Sequence, residues 1–355
     1  MNPDRSKTQV RHIHAAWIAI HYKGLTHKRG RNPHIMELSK VRLIIVSTPD
    51  IASLVQGEAL LELGEWQQGP IVEGSKTWSR NDVCMWFLES RLLHEDDLDK
   101  RWTNATSQEV LEVIFPSRHF AASGQPSLTV HPIGNPHIGV DEEISHGGRA
   151  GQCPPPSSRL GPWFREILKH HNSELADEFS LTLEVTHHGP WLEVPCLFIE
   201  IGSSESHWGR RDAAAILADI IWRGLGLDGG KGIGEWRKEH HSQKVIVGIG
   251  GGHYAPFIGR LASNDGIWLG HMCANHSLPM TKPTNPEWNP MTDELPEGNW
   301  VQSIDAAIKS TRISFPNSEL WVYLDKKSFK GWQRQAIRRH LEAQSIPIGR
   351  TADFL

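Results

Sequence analysis

Three short segments place titratable side chains directly after apolar runs. Val245 to Pro256 reads VIVGIGGGHYAP, so an apolar strand runs into Gly250, Gly251 and Gly252 and then into His253 and Tyr254. Successive glycines let backbone N–H groups approach a ligand closely, and an imidazole that titrates near neutrality follows at once. The chemistry this order supports is docking against the backbone beside a general acid/base or metal-binding histidine. Leu181 to Gly189 ends in Thr186-His187-His188-Gly189, and Leu197 to Ser204 reads LFIEIGSS. All three segments break an apolar strand at a glycine or polar turn, which predicts one pocket at strand ends.

Glu200 lies inside the apolar stretch FIEIG, where an unpaired carboxylate is costly to bury, so a cation, a metal or converging N–H groups must compensate it. Strand alternation turns it to the face opposite Ile199 and Ile201. By the same alternation, His187 and His188 point apart, and one of them is expected to be structural unless a turn intervenes. Gly202-Ser203-Ser204-Glu205 opens a helix, with Ser203 or Ser204 as cap and free N–H groups that would accept a carboxylate or developing oxyanion. The three glycines lack a Walker lysine and the G-x-G-x-x-G spacing, which argues against a nucleotide site. His253 is the leading candidate for metal ligation or proton transfer. His119, His131, His137 and His271 stand at strand ends or loops from which any could complete a metal sphere, and no H-E-x-x-H spacing selects among them.

These side chains need a frame. Val41 to Ser47, Val83 to Glu89, Leu111 to Pro116, Leu128 to Ile133, Gly266 to His271 and Leu320 to Leu324 read as further strands. Helices are predicted from Asp50, as N-cap, to Leu63, around His94 to Trp102, and over Pro162 to Ala176, Glu205 to Gly224, Trp300 to Arg312 and Lys326 to Ala343. Ala213, Ile216, Leu217, Ile220 and Ile221 recur at helical spacing and should pack on a sheet. Ile138 to Pro162 and Leu278 to Gly298 are rich in Gly and Pro and should be irregular, the first capping the site. The alternation of strands and helices makes an α/β protein.

The bulk properties narrow the field. With 38% hydrophobic and 22% charged residues among 355, the chain can bury a sizeable core, and no apolar run approaches the roughly 18 residues of a membrane span. A net charge of −4 carries no general signature of a nucleic-acid binder. The local exception is the last helix, where Lys326, Lys327, Lys330, Arg334, Arg338 and Arg339 surround Trp332, a mixture that suits a phosphate backbone. Cys84, Cys153, Cys196 and Cys273 form no C-x-x-C pair, so neither a disulfide framework nor a thiolate zinc knuckle is expected, and a reducing, intracellular compartment fits. Histidine is over-used, at 21 residues, and any metal would be held by nitrogen and oxygen. Arg5 to Met36 carries seven Lys or Arg and no acid but lacks the amphipathic run of a transit peptide. We therefore expect residues 1–40 to form a basic leader without regular structure and the protein to be cytoplasmic.

Together these motifs form a pattern that resembles the D-aminoacyl-tRNA deacylases of archaeal and plant type. It rests on STPDIAS at Ser47 to Ser53, SRHFAASG at Ser117 to Gly124, LTVHPIG at Leu128 to Gly134, THHGP at Thr186 to Pro190, FIEIGSSE at Phe198 to Glu205 and GIGGGHYAP at Gly248 to Pro256. DKKSFKGWQRQAI at Asp325 to Ile337 looks like the extension of the plant branch, and the match spans about Val41 to Leu355. Phe257 stands where the resemblance leads one to expect a basic residue, which takes away a phosphate or carboxylate contact there.

The resemblance implies hydrolysis of the ester joining a D-amino acid to the tRNA 3′ end, which recycles mischarged tRNA in a proofreading role. Aldehyde-modified D-aminoacyl-tRNA is implied as a further substrate class of the plant branch. It also implies zinc, tRNA carrying a D-amino acid as partner, and a mixed sheet flanked by helices, similar to phosphorylases and peptidyl-tRNA hydrolases. The expected organisation is a core over 41–277, an irregular linker over 278–298 and an α/β extension over 299–355 packed on that core. On this basis His253, Glu200 and His188 are assigned catalysis, and His187, His188 and His253 metal ligation. Gly250, Gly251, Gly252, Tyr254, Ser203, Ser204 and His119 are assigned substrate contacts. No obligate protein partner is expected. Two other readings stay open: a non-catalytic tRNA-binding module, and a metal-dependent hydrolase of small molecules on the same fold.

Overall fold

Leu43, Ile44, Ile45 and Val46 follow one another in β1 (Lys40–Ser47), and all four are fully buried. A strand without polar alternation must be covered on both faces, as in the interior of a parallel sheet. A computed structural model of the protein describes residues 38–355, and the basic leader expected over 1–40 lies outside the described residues up to position 37. β1 pairs in parallel with β4 (Val83–Leu88) on one side and β5 (Glu109–Arg118) on the other. Between β1 and β4 the chain makes the short edge strands β2 (Gln67–Gln68) and β3 (Thr77–Arg80). With β6 (Ser127–His131), β7 (Ser180–Leu183) and β8 (Cys196–Gly202), these form an eight-stranded sheet of order β2-β3-β4-β1-β5-β8-β6-β7. β8 runs parallel to β5 but antiparallel to β6, so the sheet is mixed, as expected.

Alternating side chains of β1 feed two cores. Ile44 and Val46 join the cluster built by the Ile51–Glu62, Leu160–Leu168 and Arg211–Gly224 helices, whereas Leu43 and Ile45 face Trp86 and Trp102 under the Leu98–Thr106 helix. Asp50 caps the first helix as predicted, accepting from Ala52 N at 3.0 Å and Ser53 N at 3.3 Å. Its other oxygen accepts from Arg118 N at 3.1 Å, which ties that helix to the end of β5, one residue before His119. Ala213, Leu217, Ile220 and Ile221 are fully buried on the predicted helix face, each of the larger ones contributing about 1.5–3 kcal/mol.

A second sheet, wholly parallel, has the order β10-β9-β11-β12, with β9 (Lys244–Ile249), β10 (Trp268–Cys273), β11 (Glu319–Leu324) and β12 (Ile348–Gly349). β9 is one of its two interior strands, flanked by β10 and β11, and the Trp300–Ser314 and Gly331–Ala343 helices pack on this sheet through Ile304, Ile308, Ile337 and Leu341. The C-terminal residues therefore complete the sheet that holds β9.

Four local expectations differ from the structure. The basic helix predicted over Lys326 to Ala343 begins only at Gly331, because Phe329 and Lys330 are extended, so Lys326, Lys327 and Lys330 lie in a short turn before it. The helix predicted over Glu205 to Gly224 is two, Glu205–Trp208 and Arg211–Gly224, because Arg210 takes an extended conformation at the junction. The helix predicted to run from Pro162 to Ala176 is also two, Leu160–Leu168 and Glu174–Glu178, with a turn at Ser173 between them. β7 ends at Leu183, and the residues after it stay beside β6, where Glu184 N donates to Val130 O and His187 bridges Ile133, while also pairing toward the second sheet.

Candidate active site

Strand register assembles the first half of the site. Ser117 of β5 and Thr129 of β6 both pair with Glu200 of β8. Side chains two residues apart share a face, so His119 and His131 flank Glu200. His119 Nδ1 and His131 Nε2 each lie 3.6 Å from Glu200 Oε2, a distance of charge contact and not of hydrogen bonding. Thr182 of β7 pairs with Thr129, and two residues further Glu184 reaches the same place, its Oε1 lying 3.2 Å from His119 Nδ1. All four of these acidic and imidazole side chains are buried. Gly202 makes room for them, since a Cβ there would stand 2.7 Å from His119 Cδ2.

The second sheet delivers His253. Val185 N donates to His253 O at 3.0 Å, Thr186 N donates to Met272 O at 2.8 Å, and Glu184 bridges Tyr254, so the segment after β7 joins both sheets. His253 Nε2 then lies 2.7 Å from Glu184 Oε2, and its side chain is 40% exposed, which places it at the mouth of the cluster. Tyr254 Oη stands 2.8 Å from His119 Nε2.

A further group of imidazoles adjoins these residues. His187 and His188 both enter it, against the expectation that one would turn away, because His188 adopts a φ of +40° and swings toward His131. Nδ1 of His131, His187 and His188 meets the carbonyl oxygens of Pro132, Val185 and Gly189 at 3.1, 2.8 and 2.6 Å. A carbonyl only accepts, so each Nδ1 carries the proton, and in the neutral ring each Nε2 presents a lone pair. Fixing the outer ring nitrogen on a carbonyl is how proteins orient a metal-binding imidazole.

The donors fall into two metal-capable groups among the described residues, His119 with Glu184 and His253, and His131 with His187 and His188. Neither oxygen of Glu184 has a hydrogen-bond donor, although the residue is fully buried, and His131 Nε2 is likewise without a partner. Buried polar atoms left in this state fit a cation that the surrounding lone pairs would share. Burial opposes the charge of Glu200, yet the imidazoles of His119 and His131 outweigh it and hold its carboxyl well below the usual range. Burial lowers His187 far below its ordinary value and His188 to about 3, so both stay neutral and able to ligate. For His119 and His131 burial acts in the same direction, but the neighbouring Glu200 carboxylate prevails and raises them.

Several expected positions land elsewhere. His187, His188 and His253 do not share one ligand group, because His253 belongs with Glu184 and the other two with His131. Gly250 N donates to Cys273 O at 2.8 Å and Gly251 N to Ser328 Oγ at 2.7 Å, so these two amides, expected to dock a ligand, are engaged within the protein. Their φ values of +113° and +80° require glycine, and a Cβ on Gly250 would press on Asp325, Ser328 and Phe329. Gly252 is exposed with open space around it. Phe257 packs under Gly251 and against Tyr323. Ser203 is buried and donates to Gln125 O at 2.6 Å, and the Ser204 hydroxyl contacts His207 Nδ1 at 2.8 Å without capping the helix. His137 and His271 join neither group. Glu184 was not singled out in the sequence, although it is an acid in an apolar strand, the same signal that marked Glu200. A cleft of about 540 Å³ lined by Arg165, Lys231, Arg237 and Trp268 lies at the opposite end of β9 and β10 and shares no residue with the histidine cluster.

The fold and this site define an α/β protein with a half-open, metal-capable histidine and glutamate centre. Residues 106–349 match the family described as D-aminoacyl-tRNA deacylase. A D-aminoacyl-tRNA deacylase of Arabidopsis thaliana is 46% identical over 88% of this chain and 99% of the relative, and one of Pyrococcus furiosus is 32% identical over 68% and 83%. A crystal structure of a conserved protein of unknown function superposes with a TM-score of 0.68 and 22% identity, covering 90% of this chain and 98% of the other, and so shares the fold. The chain belongs to the D-aminoacyl-tRNA deacylase family.

Proposed function

We propose that the protein hydrolyses the ester between a D-amino acid and the 3′ end of tRNA, that zinc is its metal, and that it works in the cytoplasm. The substrate follows from family membership and from the names its relatives carry. The observation that carries the hydrolytic reading is the buried carboxylate of Glu184, free of hydrogen bonds and faced by His119 and His253. Two sets of three nitrogen and oxygen donors, with sulfur absent from both, suit zinc with a position open to water or substrate. Held by these residues, zinc would lower the pKa of water or polarise the ester carbonyl.

The chain's own groups do the remaining work. Glu200 lies between the two donor sets and faces His119 and His131, which makes it a positioning group here, in place of the catalytic role expected from the sequence. Tyr254 fixes the outer nitrogen of His119. His253, the most exposed member of its set, stands where the esterified end would enter, and its Nε2 either completes the zinc set or, with the metal held by the other donors, holds a proton for the reaction. Four free, buried cysteines agree with a reducing compartment.

The test is His253→Ala in purified, zinc-loaded protein, with D-tyrosyl-tRNA and L-tyrosyl-tRNA as substrates. Release of the D-amino acid should fall by at least about 10²-fold, the usual scale for loss of an acid/base group. Undiminished D-selective release from folded variant would hand catalysis to the terminal RNA hydroxyl. No release by the wild type, with tRNA still bound, would favour a non-catalytic binding module.

A further inference from the structure

The basic segment near the C-terminus is fastened to the glycine turn. Asp325 N donates to Ile249 O at 2.8 Å, and Ser328 Oγ, which accepts from Gly251 N at 2.7 Å, donates to Asp325 Oδ2 at 2.6 Å. Both oxygens of Asp325 are thus engaged within the turn, the other accepting from Lys327 N at 3.1 Å. Lys326, Lys327 and Lys330 are exposed, and no acidic side chain among the described residues pairs with them. Arg334, by contrast, is occupied by the carbonyls of Lys326 and Phe329. A loop that leaves its cations unpaired forgoes local charge compensation while its backbone is held firmly in place. Gly251 precedes His253 by two residues, at most about 7 Å of chain. The loop that carries these charges is therefore fastened to the turn that leads into His253.

We infer that Lys326, Lys327 and Lys330 hold backbone phosphates of the tRNA near its 3′ end, so that the esterified terminus reaches His253. This rests on the deacylase reading above and assigns to that reaction a phosphate-binding element outside the histidine centre. A duplex or single strand is recognised there by charge and not by base, so the contact serves tRNAs of any sequence.

The test compares the full-length wild type with the triple variant Lys326→Ala, Lys327→Ala, Lys330→Ala and with the matching triple Lys→Arg variant. Binding of uncharged tRNA is followed by fluorescence anisotropy over a salt series, beside hydrolysis of D-tyrosyl-tRNA and of D-tyrosyl-adenosine, which has no phosphate. The alanine variant should bind tRNA at least about tenfold more weakly, with the slope of log K against log salt reduced by about 2, near 0.7 for each single-strand phosphate that is no longer neutralised. Its KM for D-tyrosyl-tRNA should rise with kcat retained, D-tyrosyl-adenosine should be cleaved at nearly the wild-type rate, and arginine should restore binding. Unaltered tRNA affinity in the alanine variant would overturn the inference. So would an equal loss on both esters, which would reduce the loop to a brace for the glycine turn. A wild type that binds tRNA through these lysines yet cleaves neither ester would support this contact and sink the deacylase reading instead.

Discussion

Nε2 of His253 and Oε2 of Glu184 meet at 2.7 Å although they are carried by different sheets. Glu184 is fully buried and neither oxygen has a hydrogen-bond donor, so without a metal its charge is offset only by the imidazoles of His119 and His253. Glu184→Gln keeps the shape and removes the charge. Metal content per chain should drop, measured by plasma mass spectrometry, and D-aminoacyl ester hydrolysis should fall by about 100-fold or more. The effect on stability should change sign with metal. After chelation the variant should melt at or above the wild type, and with zinc well below it. A variant that binds as much zinc as the wild type would remove Glu184 from the donor set.

Gly202 has its place because of His119. Gly202→Ala would set a Cβ 2.7 Å from His119 Cδ2 and from Ser127 Oγ. The overlap should cost about 1–3 kcal/mol of stability and move His119 from Glu184 and Tyr254. Well below the melting transition, kcat/KM should therefore fall more than in a core variant matched for stability. Equal activity in the two would show that the imidazole accommodates the methyl group.

His271 should contribute to the loss of stability in acid. It is fully buried, with Nδ1 2.9 Å from Thr186 Oγ1 and Nε2 3.0 Å from Pro154 O, and burial pushes it from 6.5 down to about 4. As pH falls through that interval the unfolded chain takes up a proton that the folded chain refuses, so this stabilisation is complete above 6.5 and is lost toward 4. The loss is on the order of 3 kcal/mol at most. Urea unfolding at about pH 7 and about pH 5 should show a steeper decline for the wild type than for His271→Gln, with a difference of up to about 1.4 kcal/mol per pH unit. Parallel declines would assign the acid sensitivity to other groups.

The cysteines should be silent in the native state. Burial pushes the thiol of Cys84 up to about 11 and that of Cys273 up to about 12, and raises Cys153 and Cys196 well above the ordinary value. With thiolate scarce and access closed, Ellman's reagent at about pH 8 should label none of the four in native protein and all of them in denaturant. Rapid reaction of any one without denaturant would reveal local opening of its core.

The sequence was most legible where one local cause acts. Asp50 capped its helix, the apolar run of β1 became an interior strand, and the spacing from Ala213 to Ile221 became a buried face. Within the site, Glu200 was readable because a charge in an apolar strand demands a partner wherever the strand lies. Glu184 gave the same signal but stood beside the more conspicuous His187-His188 pair. What could not be read was pairing across the chain. That His131 and His119 flank one carboxylate depends on β6 running antiparallel to β8, and that both adjacent histidines point inward depends on the φ of His188. The glycine turn misled because close approach to a ligand and close approach to Ser328 impose the same requirement on the backbone.

The bond from Gly251 to Ser328 spans 77 positions of the chain, and β11, which flanks β9, comes almost as late. At a synthesis rate of about 5–20 residues per second, roughly 4–15 s separate the emergence of these partners from the ribosome. Throughout that interval β9 has a free edge, and the turn before His253 rests on Cys273 and Asn275 alone, with the Gly251 amide lacking its partner. The nascent chain can complete the large sheet and its donors from β5 to β8 early, but the bracing of the turn that carries His253 is finished only once Ser328 has been made. Competence thereby waits on late translation.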